Sequence, residues 1–444
     1  MDQNSVTTIA ALATPPGRGG IAVIRISGPR AGEALRHIFT PKGTTHAWDS
    51  HYMMYGHLRD GNDIIDECMA VLMYAPRSYT MEDVAEIHVH GGEFVTQRVL
   101  KLLYSLDIEP AGPGEFTKRA FLNGRIDLSQ AEAVMSQISA QGEQASRAAV
   151  RQLEGGTFTF VHGILNQVTT LLSYVAAVLD FPEEVEENET REALCDKARA
   201  IAEELEQNCD ARSARFLETG MEVTIYGLPN VGKSSLFNAL MMEDRAIVTD
   251  IPGTTRDILR GSIILNGLRI NISDTAGIHE QDDLVESIGV ERAVSAMQKA
   301  DLLLLVVDGS APLTREAHAL LKQTEGKKRL LLQSKADLGR VALKEDAISF
   351  SALTGEGLED IKKAIIEKAD LHVGQQLTLE RHVHLASRAA AALRDAADAV
   401  ENGVEIDLCA VHLHEALGCL GQITGENVTE DLLDAVFAGF CVGK

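Results

Sequence analysis

Eight residues constrain this chain more than any others: Gly227-Leu228-Pro229-Asn230-Val231-Gly232-Lys233-Ser234, a G-x-x-x-x-G-K-S run. Its flanks make it informative. Glu222-Val223-Thr224-Ile225-Tyr226 reads as a strand and the residues after Gly232 read as a helix, the strand–loop–helix context that a phosphate cradle needs. Backbone N–H groups in the turn and at the helix N-terminus can hold phosphates, Lys233 can reach the β- and γ-phosphates, and Ser234 can ligate Mg2+. Strands and helices then alternate from Glu222 to about Lys368, as a parallel sheet with crossover helices requires.

Downstream, Ile263-Ile264-Leu265 and Leu268-Arg269-Ile270 bracket Asn266-Gly267, a favoured two-residue hairpin turn. They lead into Asp274-Thr275-Ala276-Gly277. An aspartate at that strand end can join a Mg2+ shell, and the glycine N–H can sense a γ-phosphate. Next come the strand Asp301–Val307 ending at Asp308, the strand Arg329–Gln333 followed by Ser334-Lys335-Ala336-Asp337, and Ser349-Phe350-Ser351-Ala352-Leu353. This order resembles the guanine-specific elements of the Ras-like GTPase superfamily. Asp337 can accept from the guanine N1–H and N2–H2 donors, which adenine does not present in that form. Ser334 stands where that superfamily usually has Asn; its shorter side chain is expected to lose one tethering hydrogen bond, about 0.5–1.5 kcal/mol, weakening nucleotide affinity while Asp337 keeps guanine selectivity.

Ile278 follows Gly277, where signalling GTPases carry the glutamine that orients the attacking water, and an apolar side chain cannot do that. Gly253-Thr254-Thr255-Arg256-Asp257, the segment Asp244–Thr249 and Asn230 resemble GTPases activated by a monovalent cation. The resemblance implies K+ ligation by Asn230, Thr249, Ile251 and Thr254, with backbone oxygen serving where the side chain is apolar, and Mg2+ ligation by Ser234 and Thr255; oxygen ligands suit hard cations. It also implies Glu286 as the general base or water-orienting carboxylate, beside Lys233 as the other catalytic group. Plainer readings compete: Asn230 as a turn former, and Glu286 as part of an acidic first helical turn with Asp282 and Asp283. The nucleotide site so read comprises Asn230, Val231, Gly232, Lys233, Ser234, Ser235, Thr249, Asp250, Ile251, Pro252, Gly253, Thr254, Thr255, Asp274, Thr275, Ala276, Gly277, Ser334, Lys335, Asp337, Ser351, Ala352 and Leu353.

The module is one part of a 444-residue chain, a length that suggests two to four domains at roughly 100–200 residues each. A net charge of −24 argues against a broad electrostatic grip on nucleic acid. The six cysteines include no C-x-x-C pair, against a disulfide framework or a zinc site. Met1–Ala13 lacks a basic region before an apolar run, and no stretch approaches 18 uninterrupted apolar residues, so a cytoplasmic protein without a membrane span is expected. Before the module, Ile9–Ile108 reads as α/β, with strands Ile21–Ile26 and Val84–Val89 and a helix Phe94–Leu106; the acidic run Glu183–Glu189 reads as a solvated loop. Apolar stripes at helical spacing cover Ala131–Ala148, Ile164–Leu179, Leu385–Val400 and Leu408–Leu420, so the α/β module is expected to be inserted into one helical domain.

Thr14-Pro15-Pro16-Gly17-Arg18-Gly19-Gly20, Glu86-Ile87-His88-Val89-His90-Gly91-Gly92, Pro113-Gly114-Glu115-Phe116-Thr117-Lys118-Arg119-Ala120-Phe121-Leu122-Asn123 and the terminal Cys441-Val442-Gly443-Lys444 resemble, in this order around a central GTPase module, the MnmE (TrmE) family of tRNA-modification GTPases. The resemblance covers essentially the whole chain. It implies a multidomain fold: an α/β folate-binding-like N-terminal and dimerisation domain (1–118), an α-helical central domain (119–215 and 374–444) and an inserted Ras-like α/β P-loop G domain (216–373). It further implies a homodimer working with an FAD-dependent partner of the MnmG/GidA type in a heterotetramer or larger complex. Their product is an aminomethyl or carboxymethylaminomethyl group on C5 of the wobble uridine, position 34, of certain tRNAs, made from a tetrahydrofolate one-carbon unit, with tRNA held mainly through the partner. Carried over by position, Arg25, Glu86, Arg125 and Lys444 line the 5-formyltetrahydrofolate site. Glu86 suits the amino and ring N–H donors of a pterin, and cationic side chains suit glutamyl carboxylates; ordinary surface ion pairs are the plain alternative. Cys441 is a candidate nucleophile, although a packing cysteine is the favoured reading. His88 and His90 are expected to face opposite sides of a strand and so not to share a metal. The competing functions are a ribosome-assembly GTPase, which the charge opposes, and a folate-binding scaffold without turnover.

Overall fold

The computed structural model describes residues 7–43, 46–180, 187–243, 259–274, 297–343, 345–372 and 374–444. Thr249, Asp250, Ile251, Pro252, Gly253, Thr254, Thr255, Thr275, Ala276, Gly277, Ile278 and Glu286, named above for the nucleotide, the cations or the attacking water, lie outside the described residues. The chain divides into two compact units, residues 1–135 with 420–444, and residues 136–419.

In the first unit, β1 (Ile9–Leu12), β2 (Ile21–Ser27), β3 (Phe39–Pro41), β4 (Met54–Asp60), β5 (Asp63–Met73), β6 (Val84–His90) and β7 (Glu109–Pro110) form a sheet in the order β3-β4-β5-β6-β2-β1-β7. Alternate residues of a strand face opposite sides. Ile24, Ile26, Ala70, Leu72, Ala85, Ile87 and Val89 are therefore buried together, in one core with Leu35 of α1 (Ala31–Ile38) and with Val99 and Leu103 of α2 (Glu93–Tyr104). The other positions of β2 and β6 bring out Arg25, Glu86 and His88. His88 and His90, two residues apart, share a face, which corrects the expectation that they diverge: a strand repeats every two residues. Their partners differ instead, since His90 Nδ1 lies 2.8 Å from Asp66 Oδ1 and His88 Nε2 lies 3.5 Å from Glu86 Oε2. Helices α3 (Glu115–Leu122) and α4 (Leu128–Ser139) follow, and Leu128 and Ala131 pack with Phe437 and Phe440 from the C-terminal segment.

The second unit opens with α5 (Glu143–Leu153), α6 (Gly156–Asp180), α7 (Glu187–Gln207) and α8 (Ala211–Glu218). Glu187 and Glu189, expected in a loop, are the first residues of α7. Among the described residues α6 is long and apolar enough to cross a membrane; its buried Val161, Ile164, Val168, Leu171 and Val175, spaced three or four apart, form the stripe of a packed amphipathic helix. Then come β8 (Met221–Tyr226), α9 (Lys233–Glu243), β9 (Leu259–Leu265), β10 (Leu268–Asp274), β11 (Leu302–Asp308), α10 (Arg315–Gln323), β12 (Arg329–Ser334), β13 (Ile348–Ser349), α11 (Leu358–Ala369), α12 (Glu380–Glu401) and α13 (Ile406–Thr424). The sheet order is β13-β12-β11-β8-β10-β9, parallel except for the β9–β10 hairpin. Leu302–Val307 of the interior strand β11 are all buried, as a parallel strand covered on both faces must be, and each such leucine contributes about 1.5–3 kcal/mol.

Asn266 and Gly267 both have positive φ, 47° and 75°, the pair that a two-residue type I′ hairpin needs. That hairpin tip abuts the start of α5. Gly142, the N-cap of α5, offers no side-chain acceptor; the Gln144 N–H donates to the Gly267 carbonyl at 3.0 Å instead. The approach is close enough that a Cβ on Gly142 would stand 2.3 Å from the Gly267 oxygen.

Candidate functional site

The parallel strands place their carboxyl ends on one edge, where open α/β sheets bind ligands. Registers Asp274↔Ile225 and Asp308↔Ser334 align the strand ends. The loop from Gly227 to Ser234 leaves β8 there, with Asn230 exposed at φ 63° and Gly232 at φ 96°, before α9 begins at Lys233. Lys233 is 4% exposed and donates from Nζ to the Leu228 carbonyl at 2.9 Å. Burial pushes its ammonium below the ordinary lysine value, partly offset by the Asp274 carboxylate, so an anionic phosphate here would compensate a real cost. Ser234 Oγ donates to Asp274 Oδ2 at 2.8 Å, and Asp274 is fully buried. A hydroxyl and a carboxylate this close are a hard-oxygen set that fits Mg2+.

At the neighbouring strand end, Ser334 corrects the expectation of a lost tether. Its buried hydroxyl lies 2.6 Å from the Val231 carbonyl of the phosphate loop and 3.1 Å from the Val307 carbonyl. One hydroxyl has one hydrogen, so one of these is donated at a time, and the loop-to-strand link exists despite the short side chain. Lys335, at φ 58°, opens a 3-10 turn, Ala336–Leu338, that leaves Asp337 exposed. The Ala336 N–H donates to the Phe350 carbonyl at 3.1 Å, which joins this turn to the segment of Ser351, Ala352 and Leu353. Ser351 is buried and its Oγ accepts from the Thr354 N–H at 3.3 Å, whereas Leu353 is 86% exposed. Val231 is buried and Ser235 exposed.

The first unit carries a second constellation. Arg25 Nε donates to Glu86 Oε1 at 2.8 Å, a contact made by the register Arg25↔Glu86 between β2 and β6. The His88 ring, 3.5 Å away, is too distant for a good hydrogen bond. The nearby His88 ring and the Arg25 guanidinium together hold the Glu86 carboxyl below the usual range against the opposing effect of burial, and the 2.8 Å Arg25 contact is the firmer of the two. The Arg25 guanidinium also sits 5.3 Å from the Tyr79 ring centroid and 5.7 Å from that of Phe116, and Arg125 sits 4.8 Å from Tyr79, all within cation–π range. Pro113 bridges Val442, and Arg25 Nη1 reaches the Gly443 carbonyl at 3.4 Å. Gly443 has φ 95°, and a Cβ there would stand 2.2 Å from the Leu12 oxygen. The structure thus brings Arg25, Glu86, Arg125 and the chain end with Lys444 into one neighbourhood. Sequence reasoning missed Tyr79, which has no motif signal, and His88, whose i, i+2 spacing from Glu86 could have revealed it. Cys441 is exposed, which overturns the favoured reading of a packing cysteine; by contrast, burial pushes the Cys68 thiol up to about 12 and that of Cys209 up to about 11.

The fold and the phosphate-loop edge define a P-loop GTP hydrolase with a Ras-like G domain inserted in a helical domain, behind an α/β N-terminal part. The family model for the GTP-binding protein TrmE N-terminus matches residues 8–125, and that for the MnmE helical domain matches residues 128–441. The chain is 40% identical over 459 residues to the tRNA modification GTPase MnmE of Bacillus cytotoxicus, covering 98% of this chain and 99% of that one. It is 41% identical over 453 residues to the tRNA modification GTPase MnmE of Lactobacillus delbrueckii subsp. bulgaricus, covering 98% of each. The chain belongs to the MnmE (TrmE) family of tRNA modification GTPases: it is a GTP hydrolase involved in tRNA modification.

Proposed function

We propose that this GTPase is stimulated by K+ and, with an FAD-dependent partner of the MnmG/GidA type, adds an aminomethyl or carboxymethylaminomethyl group to C5 of the wobble uridine of certain tRNAs, using a tetrahydrofolate one-carbon unit. The observation that carries the folate half is the Arg25–Glu86 pair beside the chain end. Glu86, held ionised, suits the N–H donors of a pterin ring, and Arg125 and Lys444 suit glutamyl carboxylates. Exposed Cys441 lies three residues from Lys444 and is the candidate nucleophile there. On the nucleotide side, Lys233 neutralises phosphate charge, Ser234 with Thr255 holds Mg2+, and Asp337 selects guanine. Asn230, Thr249, Ile251 and Thr254 hold K+, and Glu286 orients the attacking water. Bound K+ and Mg2+ supply positive charge against the transferring phosphoryl group. The protein acts in the cytoplasm as a homodimer built through residues 1–118, with residues 119–215 and 374–444 as the helical domain and 216–373 as the G domain. Its charge of −24 leaves most of the tRNA contact to the partner.

Hydrolysis measured in KCl against NaCl, in the unaltered chain and in Asn230→Lys, tests the cation. An arginine finger is worth about 10³–10⁵ in kcat, so a K+ ion in its place is expected to give at least about tenfold more activity in KCl, and the substitution to remove that dependence. Equal rates in both salts would end the K+ reading. Nucleoside analysis of tRNA from a deletion strain tests the modification independently: unchanged wobble uridines would end that half.

A further inference from the structure

We propose that Asp308 is a positioning residue of the guanine site and acts through Lys335. Asp308 closes β11 directly opposite Ser334 on β12, at the strand ends where the phosphate loop and the Lys335 turn meet. Its carboxylate is engaged at both oxygens. Oδ1 accepts from the Ser310 N–H at 2.9 Å and from Ser310 Oγ at 2.6 Å, and Oδ2 accepts from Lys335 Nζ at 2.6 Å. The Asp308 carboxyl stays below the ordinary aspartate value: burial opposes ionisation, but the hydrogen bonds from Lys335 and Ser310 prevail.

Lys335 is consequently fixed at both ends. Its backbone sits in the left-handed region at φ 58°, unusual for a residue with a Cβ, where it opens the turn that presents Asp337. Its ammonium is anchored on Asp308, so it is not spent on a phosphate. What remains between the two anchors is an apolar four-carbon stem, a flat flank for a planar base. An unanchored lysine stem carries considerable rotamer freedom that a ligand must freeze; Asp308 freezes it before the nucleotide arrives, which is preorganisation. This inference rests on the reading of the Ser334–Asp337 turn as the guanine-binding turn.

The test is a double-mutant cycle in the full chain, with GDP and IDP affinities from fluorescence titration and steady-state GTP hydrolysis. Asp308→Asn, nearly isosteric, is expected to weaken GDP and IDP by the same factor of about ten, leaving unchanged the GDP/IDP ratio that Asp337 sets. KM for GTP should rise with kcat at saturation unaltered. Lys335→Met should cost a similar factor, and adding Asp308→Asn to it should cost less than about twofold more, because coupled residues are not additive. Fully additive losses, or full affinity in Asp308→Asn, would overturn the role of Asp308 while leaving the guanine-binding turn standing. Full affinity in Lys335→Met, which keeps an apolar stem but has no ammonium to anchor, would likewise overturn this inference, whereas an unchanged GDP/IDP ratio in Asp337→Asn would overturn the turn assignment beneath it.

Discussion

A serine hydroxyl 2.6 Å from the Val231 carbonyl does work that its sequence position reserves for a longer amide. Removing it leaves a backbone acceptor beside a buried position without its donor, a loss of about 1–2 kcal/mol. Ser334→Ala is expected to weaken GDP binding about five- to thirtyfold at unchanged guanine selectivity; a titration that finds equal affinity would mean the tether is idle. Residue types at this scale were legible in the sequence, but their partners were not. Arg25 and Glu86 lie 61 positions apart, and only the β2–β6 register sets them side by side. Tyr79 enters through the ring faces it offers to two guanidiniums, which no linear pattern encodes. Cys441 was misjudged because composition favours buried thiols, whereas chain-end geometry decides this one.

Elements with a strong period were the readable ones. β11 is an unbroken apolar run, α12 repeats alanine and leucine at helical spacing, and Asn266-Gly267 announces its own turn. β5 escaped notice because Asp63, Asp66 and Glu67 put three carboxylates into its first five residues, two of them exposed, so that half of the strand reads as a charged loop. The contact of the β9–β10 hairpin with α5 was also invisible, since it depends on two glycines meeting 125 residues apart in sequence. Gly142→Ala is expected to destabilise the second unit by about 1–3 kcal/mol, because the added methyl has only the Gly267 carbonyl to move into. Equilibrium denaturation measures this, and a shift below about 0.5 kcal/mol would show that the hairpin yields freely.

At the scale of the molecule, the order of motifs along the chain was enough to foresee an α/β part, helices and an inserted G domain. The partition into two compact units that cut through α4 and α13 was not foreseen, since long helices carry no mark of which unit they serve. Each unit has its own apolar core, which leads to a calorimetric prediction. GDP with Mg2+ at a hundred times Kd should raise only the transition of residues 136–419, by the equivalent of about 2.7 kcal/mol, and 5-formyltetrahydrofolate should raise only the other; one transition moved equally by both ligands would contradict this. Within the second unit, β10 is hydrogen-bonded along both edges, to β8 and to β9, and so is held in register from end to end. One end is Asp274, beside Ser234; the other begins at Leu268, next to the Gly267 carbonyl that completes the first turn of α5. At about 3.3 Å per residue the strand spans roughly 20 Å, so a single element carries the carboxylate beside the phosphate loop at one end and the acceptor under the first turn of α5 at the other.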